Sequence, residues 1–159
     1  MRILAIETSC DETGLALLEA EGGIRTPKIR VKKNIVASQI AVHAPFGGVV
    51  PNLAKREHLK NLPKVLKRLL ASGHTLNPSV IDAIALTVGP GLAAALWTGI
   101  EFAKELARTQ KKPLLGANHM EGHLYSSWLR PVGKFQIPNP QFPKFPAVAL
   151  VVSGGHTIL

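Results

Sequence analysis

Two histidines, His119 and His123, lie four residues apart in a segment whose pattern predicts a helix. On a helix this spacing places both imidazole rings on one face, within reach of a single metal ion. A pair is an incomplete catalytic site, because such sites usually take three protein ligands and keep one position open. The alternative is that both histidines are polar residues at a helix start, with Asn118 as the N-cap. Spacing alone leaves both interpretations open.

The glutamate near the pair distinguishes this segment from the zincin motif H-E-x-x-H. In that motif the glutamate directly follows the first histidine and acts as a general base on metal-bound water. Here Glu121 lies two residues after His119. A two-residue step rotates a side chain by about 200° around a helix. Glu121 is therefore not expected to activate water held by the pair, which argues against a metallopeptidase.

A polar turn near the N-terminus carries the second set of candidate groups. Residues 3–6 and 14–18 are short apolar runs on either side of a polar insert, a pattern that predicts two strands joined by a tight turn. Hydroxyl and backbone N–H groups in such a turn can hold phosphate oxygens. Asp11 and Glu12 suit another task, either orienting a hydroxyl or amine or holding a cation. The same residue types are also ordinary in turns, and that interpretation stays open here.

Further strands are predicted from apolar runs. Residues 80–88 form a nearly continuous run rich in branched side chains, as expected of a strand buried on both faces. The run ends in Gly89-Pro90-Gly91, and a strand, a glycine turn and a helix N-terminus together form a potential anion site. The glycine spacing matches neither a Walker loop nor G-x-G-x-x-G. Two more strands are predicted over residues 32–42 and 113–117.

Two longer helices are predicted in addition to the histidine helix. Leucines at helical spacing indicate an amphipathic helix over residues 53–70, with Pro63 starting or kinking its second half. Its polar face is either solvated surface or a nucleic-acid contact, without interleaved aromatic residues to stack on bases. A further helix is predicted over residues 92–108. The basic residues of the first helix are Lys55, Arg56, Lys60, Lys64, Lys67 and Arg68.

Composition limits the class of protein. The chain has 159 residues and a net charge of +9, which favours an anionic partner such as nucleic acid or nucleotide phosphate. Its single cysteine, Cys10, excludes an internal disulfide and a metal site built from cysteines. No apolar run approaches the length of a membrane span, and the N-terminus lacks a signal-peptide pattern. We therefore expect a cytoplasmic protein without a membrane partner.

The sequence composition predicts a large first lobe, a linker and the start of a second lobe. Residues 131–146 combine five prolines with glycine, asparagine and glutamine, and predict a linker. An apolar strand over residues 147–152 follows, then the turn S-G-G-H-T. A strand and the start of its return partner cannot bury their own apolar surface. We therefore predict a first lobe over residues 1–130, a linker, and the start of a second lobe over residues 147–159.

Four motifs in one order resemble the tRNA N6-threonylcarbamoyladenosine transferase family, called TsaD in bacteria. The resemblance covers essentially the whole chain but only the N-terminal half of a family member. It implies an α/β architecture of the actin-like, sugar-kinase and Hsp70-like ATPase fold, with a first lobe and the opening hairpin of a second. The motifs are E-T-S-C-D-E-T at residues 7–13, G-P-G-L at 89–92, H-M-E-G-H at 119–123 and S-G-G-H-T at 153–157.

The resemblance implies a reaction and its participants. Threonylcarbamoyl is transferred from threonylcarbamoyl-adenylate to N6 of the adenosine beside the anticodon. One divalent iron or zinc ion acts as a Lewis acid, and ATP or the adenylate is bound. The implied partners are tRNA, other subunits of the complex including a short paralogue, and a missing C-terminal lobe. That lobe would supply the third metal ligand and most nucleotide contacts.

The resemblance also implies roles for individual residues. His119 and His123 match two metal ligands. Asp11 and Glu12 match an acidic pair on the acceptor side of the reaction. The predicted strip that binds substrate or nucleotide is Val151, Val152, Ser153, Gly154 and Gly155.

Two departures and two alternatives accompany the resemblance. The family usually has the motif V-P-E-L-A-S-R-x-H at residues 50–58. This chain has Asn52 in place of the glutamate and Lys55 in place of the serine. If that glutamate assists the reaction, the activity of this chain is expected to be weaker. One alternative is a non-catalytic assembly partner of the same complex, which is expected to lack the histidine motif. The other is a metal-dependent endopeptidase, the family's older label. The histidine pair favours the transferase.

Overall fold

The computed structural model describes residues 1–22, 28–71, 81–126, 129, 146, 148–153 and 156–158. Its centre is a five-stranded mixed sheet in the order β3-β2-β1-β4-β5. Strands β1, β2 and β3 are antiparallel neighbours, whereas β4 and β5 run parallel to β1. The strands are β1 Arg2–Glu7, β2 Glu12–Glu21, β3 Lys28–Ser38, β4 Ala83–Gly89 and β5 Leu114–Asn118.

One face of the sheet forms the core. Side chains alternate between its two faces, so Leu4 and Ile6 of β1 join Leu15 and Leu17 of β2 in the buried cluster. Two helices pack on that face, α2 over Pro51–Leu70 and α3 over Ala93–Gln110. The buried stripe of α2 consists of Ala54, His58, Leu62, Val65 and Leu69, whereas Leu59 is exposed. Pro63 lies inside the continuous helix instead of starting a second one.

The predicted strand over residues 32–42 is wrong at both ends, since β3 begins earlier, at Lys28, and also ends earlier. Strand β3 stops at Ser38, and a short helix α1 follows over Ile40–His43 with a 3-10 turn over Ala44–Phe46. The reason is pairing, because Ser38 lies opposite Glu12, the first residue of β2. Beyond Ser38 the apolar residues have no strand to pair with, so the chain turns away from the sheet.

Helix α4, His119–Ser126, follows β5 directly and lies against a two-stranded second sheet. That sheet pairs β6, Val151–Ser153, with β7, His156–Ile158, in antiparallel register. The strand is shorter than the predicted 147–152, since residues 148–150 are not in a strand and residue 147 lies outside the described residues. The predicted linker also lies outside them, apart from Pro146. The proposed domain boundaries therefore stay a prediction.

Among the helices of the described residues, none combines the length and apolar character needed to cross a bilayer.

Candidate metal and acceptor groove

Asn118 fixes the start of the histidine helix. Its Oδ1 accepts hydrogen bonds from the backbone N–H of Met120 at 2.8 Å and of Glu121 at 3.2 Å. These two contacts satisfy N–H groups that a helix start leaves without an intrahelical partner, so the predicted N-cap is confirmed. His119 is consequently held in the first turn of α4, at the end of β5.

The two imidazoles converge as the spacing predicts. Nε2 of His123 lies 3.1 Å from Nε2 of His119, and the ring planes are nearly perpendicular at 85°. Two nitrogens bound at 2.0–2.1 Å to a tetrahedral metal are separated by about 3.3 Å. The two nitrogens are therefore spaced as ligands of one ion. Within the described residues no group of three His, Cys, Asp or Glu side chains is placed to hold a metal, so metal binding by the pair stays a prediction.

Glu7, for which the sequence indicated no role of its own, orients His119. Its Oε2 lies 3.4 Å from Nδ1 of His119, and Oγ of Ser9 lies 3.2 Å from the same nitrogen. A carboxylate on one ring nitrogen places the proton there and leaves the other nitrogen's lone pair for a metal. Only its place at the end of β1, beside a polar turn, could have indicated this role.

Glu7 is kept ionised by its own contacts. Burial alone would raise the pKa of Glu7, but the hydrogen bonds from Ser9 and Thr87, together with the nearby His119, outweigh burial and hold this pKa below its usual value. The Ser9 backbone N–H donates to Oε1 at 2.5 Å, and the Thr87 hydroxyl donates to Oε2. An ionised Glu7 is the form that accepts a hydrogen bond from His119. Glu121, in contrast, is exposed.

The acidic turn reaches the same groove. A groove of about 560 Å³ is lined by Glu7, Glu12, His119 and His123, among other residues. Burial and then the charge of Asp11 raise the pKa of the Glu12 carboxyl above its usual value. Asp11 lies next to Glu12 in the turn but is not part of the groove's lining. The structure thus brings one carboxylate of the predicted acidic pair to the predicted metal ligands.

Cys10, between Ser9 and Asp11, is not activated as a nucleophile. Burial and a hydrogen bond with Asp11 raise the pKa of its thiol to about 11. At neutral pH the thiol therefore stays protonated, and thiolate is the reactive form of cysteine. The chemistry of this turn rests on its carboxylates.

The glycine segment after β4 holds the acidic turn from one side. The backbone N–H of Leu92 donates to the carbonyl of Ser9 at 2.8 Å, and the Thr8 hydroxyl donates to the carbonyl of Ala95 at 3.1 Å. A Cβ at Gly91 would stand 2.6 Å from the Ser9 carbonyl oxygen. Glycine is needed there for close backbone approach. The predicted anion site at this segment stays a prediction.

The remaining predicted residues are placed as follows. The strip at residues 151–155 opens the second sheet with Val151, Val152 and Ser153 in β6, whereas Gly154 and Gly155 lie outside the described residues. Its role in binding a nucleotide stays a prediction. Asn52 and Lys55 are exposed in the first turns of α2. The predicted basic face of α2 is exposed along its length, at Lys55, Arg56, Lys60, Lys64, Lys67 and Arg68.

Comparison with solved structures defines the class of fold. A crystal structure from Pseudomonas aeruginosa, described as similar to the peptidase YeaZ, superposes with a TM-score of 0.55 at 23% identity, covering 79% of this chain and 48% of that one. At this identity the likeness concerns the fold alone. The mixed sheet with its crossing helices is an actin-like α/β fold, so the predicted fold class is confirmed.

Sequence comparison defines the family. The model of TsaD, tRNA N6-adenosine threonylcarbamoyltransferase, matches residues 30–159. Relatives with that name from Thermomicrobium roseum and Moorella thermoacetica are each 48% identical, over 100% and 99% of this chain. The chain belongs to the tRNA N6-adenosine threonylcarbamoyltransferase family. It spans 40% and 41% of the length of these two relatives.

We expect the histidine pair to bind a divalent metal weakly in this chain, because two nitrogens leave water to complete the coordination shell. Titration calorimetry with Zn²⁺ should show binding that His123→Ala abolishes. Glu121→Gln, on the exposed side of the same helix, is the matched control and should leave the affinity unchanged. Affinity as tight as that of a structural zinc site, or binding that survives His119→Ala, would contradict the assignment.

Proposed function

We propose that this chain forms the metal-binding and acceptor side of a tRNA N6-adenosine threonylcarbamoyltransferase. The reaction would carry threonylcarbamoyl from threonylcarbamoyl-adenylate to N6 of the adenosine beside the anticodon, in the cytoplasm. One observation carries the proposal: a single groove contains both Glu12 and the converging Nε2 atoms of His119 and His123. Family membership supplies the reaction class.

In this proposal the histidine pair binds the metal ion and Glu12 acts on the acceptor amine. His119 and His123 would hold an iron or zinc ion, and Glu7 would keep His119 in the tautomer that binds it. When bound, the ion supplies Lewis-acid polarisation of a phosphate or carbamoyl oxygen. Glu12 would receive the proton that N6 loses as its bond to the carbamoyl carbon forms and the bond to the adenylate oxygen breaks. Its raised pKa brings this carboxylate nearer to the range suited to a base at neutral pH.

The adenylate donor and the protein partners would bind outside the groove. We assign the adenylate or ATP to the strip at residues 151–155, which begins in β6 against α4. The curated relatives are more than twice as long as this chain, which supports a further lobe that completes the metal and nucleotide sites. A short paralogue and other subunits of the complex are the partners we propose beside tRNA.

A chimera tests the function. This chain replaces the matching N-terminal part of the Moorella thermoacetica relative, and the product is incubated with threonylcarbamoyl-adenylate, metal and tRNA. Mass spectrometry should detect threonylcarbamoyladenosine, and Glu12→Gln should reduce it strongly. A folded chimera that leaves tRNA unmodified would overturn the proposal. Metal-dependent cleavage of a peptide in its place would support the endopeptidase alternative.

The basic face of α2 should attract tRNA through its phosphates. Contacts of this kind release counterions, so affinity should fall steeply as salt is raised. Replacing Lys64 and Lys67 by glutamine should reduce the slope of log affinity against log salt by roughly two. Lys104→Gln on α3, where the lysine already pairs with Glu101, is the control. A tRNA affinity that stays flat between low and physiological salt would show that this face is solvated surface only.

A further inference from the structure

Behind the acidic turn lies a chain of buried polar side chains that the proposed reaction does not use. Thr13, Gln39 and His58 are each 0% exposed, and His43 is 3% exposed. They come from four different places: β2, the residue after β3, α2 and α1. Buried polar groups destabilise a core unless each finds a hydrogen-bond partner. Such a set is kept only if its members are arranged to satisfy one another.

The hydrogen bonds of His58 define its protonation. Nε2 lies 3.1 Å from the backbone carbonyl of Cys10, which can only accept, so this nitrogen carries the proton. Nδ1 is then the acceptor, and it lies 2.8 Å from the Thr13 hydroxyl and 3.3 Å from Nε2 of Gln39. A neutral imidazole with one assigned tautomer satisfies all three contacts.

The protonation of His43, the other histidine of this hydrogen-bonded set, is defined in the same way. Oε1 of Gln39 lies 3.0 Å from Nε2 of His43, so that nitrogen donates. Nδ1 of His43 accepts from the backbone N–H of Val50 at 3.3 Å. Every donor therefore meets an acceptor when both histidines are neutral, and burial, the largest influence, lowers the pKa of His58. The order of donors and acceptors runs in one direction from Val50 to Cys10.

These hydrogen-bonded side chains contact the backbone of the acidic turn. His58 binds the carbonyl of Cys10, the backbone N–H of Gln39 donates to the carbonyl of Asp11 at 2.9 Å, and Thr13 is held through its hydroxyl. The contacts therefore fall on both sides of the two carboxylates. Leu92, the residue before α3, donates its backbone N–H to the carbonyl of Ser9, which precedes the acidic pair. Together they leave the turn little freedom to shift.

We propose that His58 is a positioning residue for the acidic turn: its Nε2–H to Cys10, with its tautomer set by Gln39 and His43, fixes Asp11 and Glu12 relative to the histidine pair. The consequence for activity rests on the proposed function, whereas the positioning itself does not. A displacement of about 1 Å in a reacting group can cost roughly 10²-fold in rate. The loss should appear in kcat, because His58 does not line the groove where substrate would bind.

The positioning is tested on the 159-residue chain by NMR. The ¹⁵N shifts of His58 should show the proton on Nε2. His58→Leu should move the amide resonances of residues 10–13, and His58→Gln, whose side-chain amide can donate to the Cys10 carbonyl, should largely restore them. Thr13→Val and Thr13→Ser form a second pair that removes or keeps the hydroxyl in case His58→Leu fails to fold. A proton on Nδ1, or unchanged resonances in folded His58→Leu or Thr13→Val, would overturn the proposal.

The kinetic consequence is measured in the chimera described above. Folded His58→Leu should lower kcat about 10²-fold with the KM for tRNA unchanged, and His58→Gln should recover much of the loss. Unchanged kcat, or a loss confined to KM, would overturn the positioning role. If the unmutated chimera is inactive, the proposed function fails, and the NMR result alone decides the positioning proposal.

Discussion

The 159-residue chain on its own should transfer threonylcarbamoyl on the order of 10⁵-fold or more slowly than the chimera. Its activity should therefore not be detectable. Transfer requires donor, metal and acceptor amine to be held in one geometry, and well-oriented groups gain rate factors of this size. The described residues supply Glu12 and two candidate histidine ligands but no third metal-binding group. Under the proposed function, the described part of the chain would therefore carry candidate catalytic groups without a complete metal site.

The measurement compares three samples under identical conditions with ATP, threonylcarbamoyl-adenylate, metal and tRNA. They are the chain alone, the chain mixed with a polypeptide covering the remaining length of the Moorella relative, and the chimera. Mixing should restore part of the activity if the separate pieces assemble. Robust turnover by the chain alone, detected as modified adenosine by mass spectrometry, would refute the incomplete-site argument.

Gly99→Ala should lower the free energy of unfolding by about 2 kcal/mol. Gly99 lies in the interior of α3 against Thr8, and a Cβ there would collide with Thr8 Oγ1 and stand 3.3 Å from its Cβ. The hydroxyl cannot move aside freely, because it is buried and donates to the carbonyl of Ala95. The cost of the clash should therefore exceed the gain of up to about 1 kcal/mol that alanine brings to a helix.

Gly122→Ala is the matched control for this effect. Gly122 is also inside a helix, α4, but no neighbouring atom lies within 4 Å of a Cβ built on it. Only the helix-propensity gain of up to about 1 kcal/mol should remain, so this variant should be slightly more stable. Urea unfolding followed by circular dichroism measures both variants. Equal stabilities would show that Thr8 yields to the extra methyl group and that the close approach is not needed.

Local pattern predicted most of the architecture. Short apolar runs on either side of the polar residues 7–13 indicated two strands and a turn, and both strands are present. Helical spacing of leucines located α2, and the four-residue histidine spacing predicted converging rings. These signals succeed because side-chain direction repeats every two residues in a strand and every 3.6 in a helix. The end of β3 was missed because it depends on where its partner β2 begins.

The shell around the site could not be read from local pattern. Glu7 meets His119 across 112 residues of chain, and Thr13 meets His58 across 45. His58 was visible only as the last position of a motif, and Gln39 and His43 fell next to or inside an apolar run. Nothing in their neighbours along the chain distinguishes a buried hydrogen-bonded histidine from a surface one. Such partners become apparent only when the sheet brings β1, β2 and β5 together.

Ser9 connects the histidine pair to the acidic turn. Its backbone N–H contacts Glu7 and its hydroxyl contacts His119. Its carbonyl accepts a hydrogen bond from the backbone N–H of Leu92, and Ser9 itself lies one residue before Cys10 and two before Asp11. Under the proposed function, ion binding by the histidines and ordering of the carboxylate turn would therefore be linked equilibria. Linkage is reciprocal, so any free energy that the ordered turn adds to ion affinity is returned by the ion as ordering of the turn.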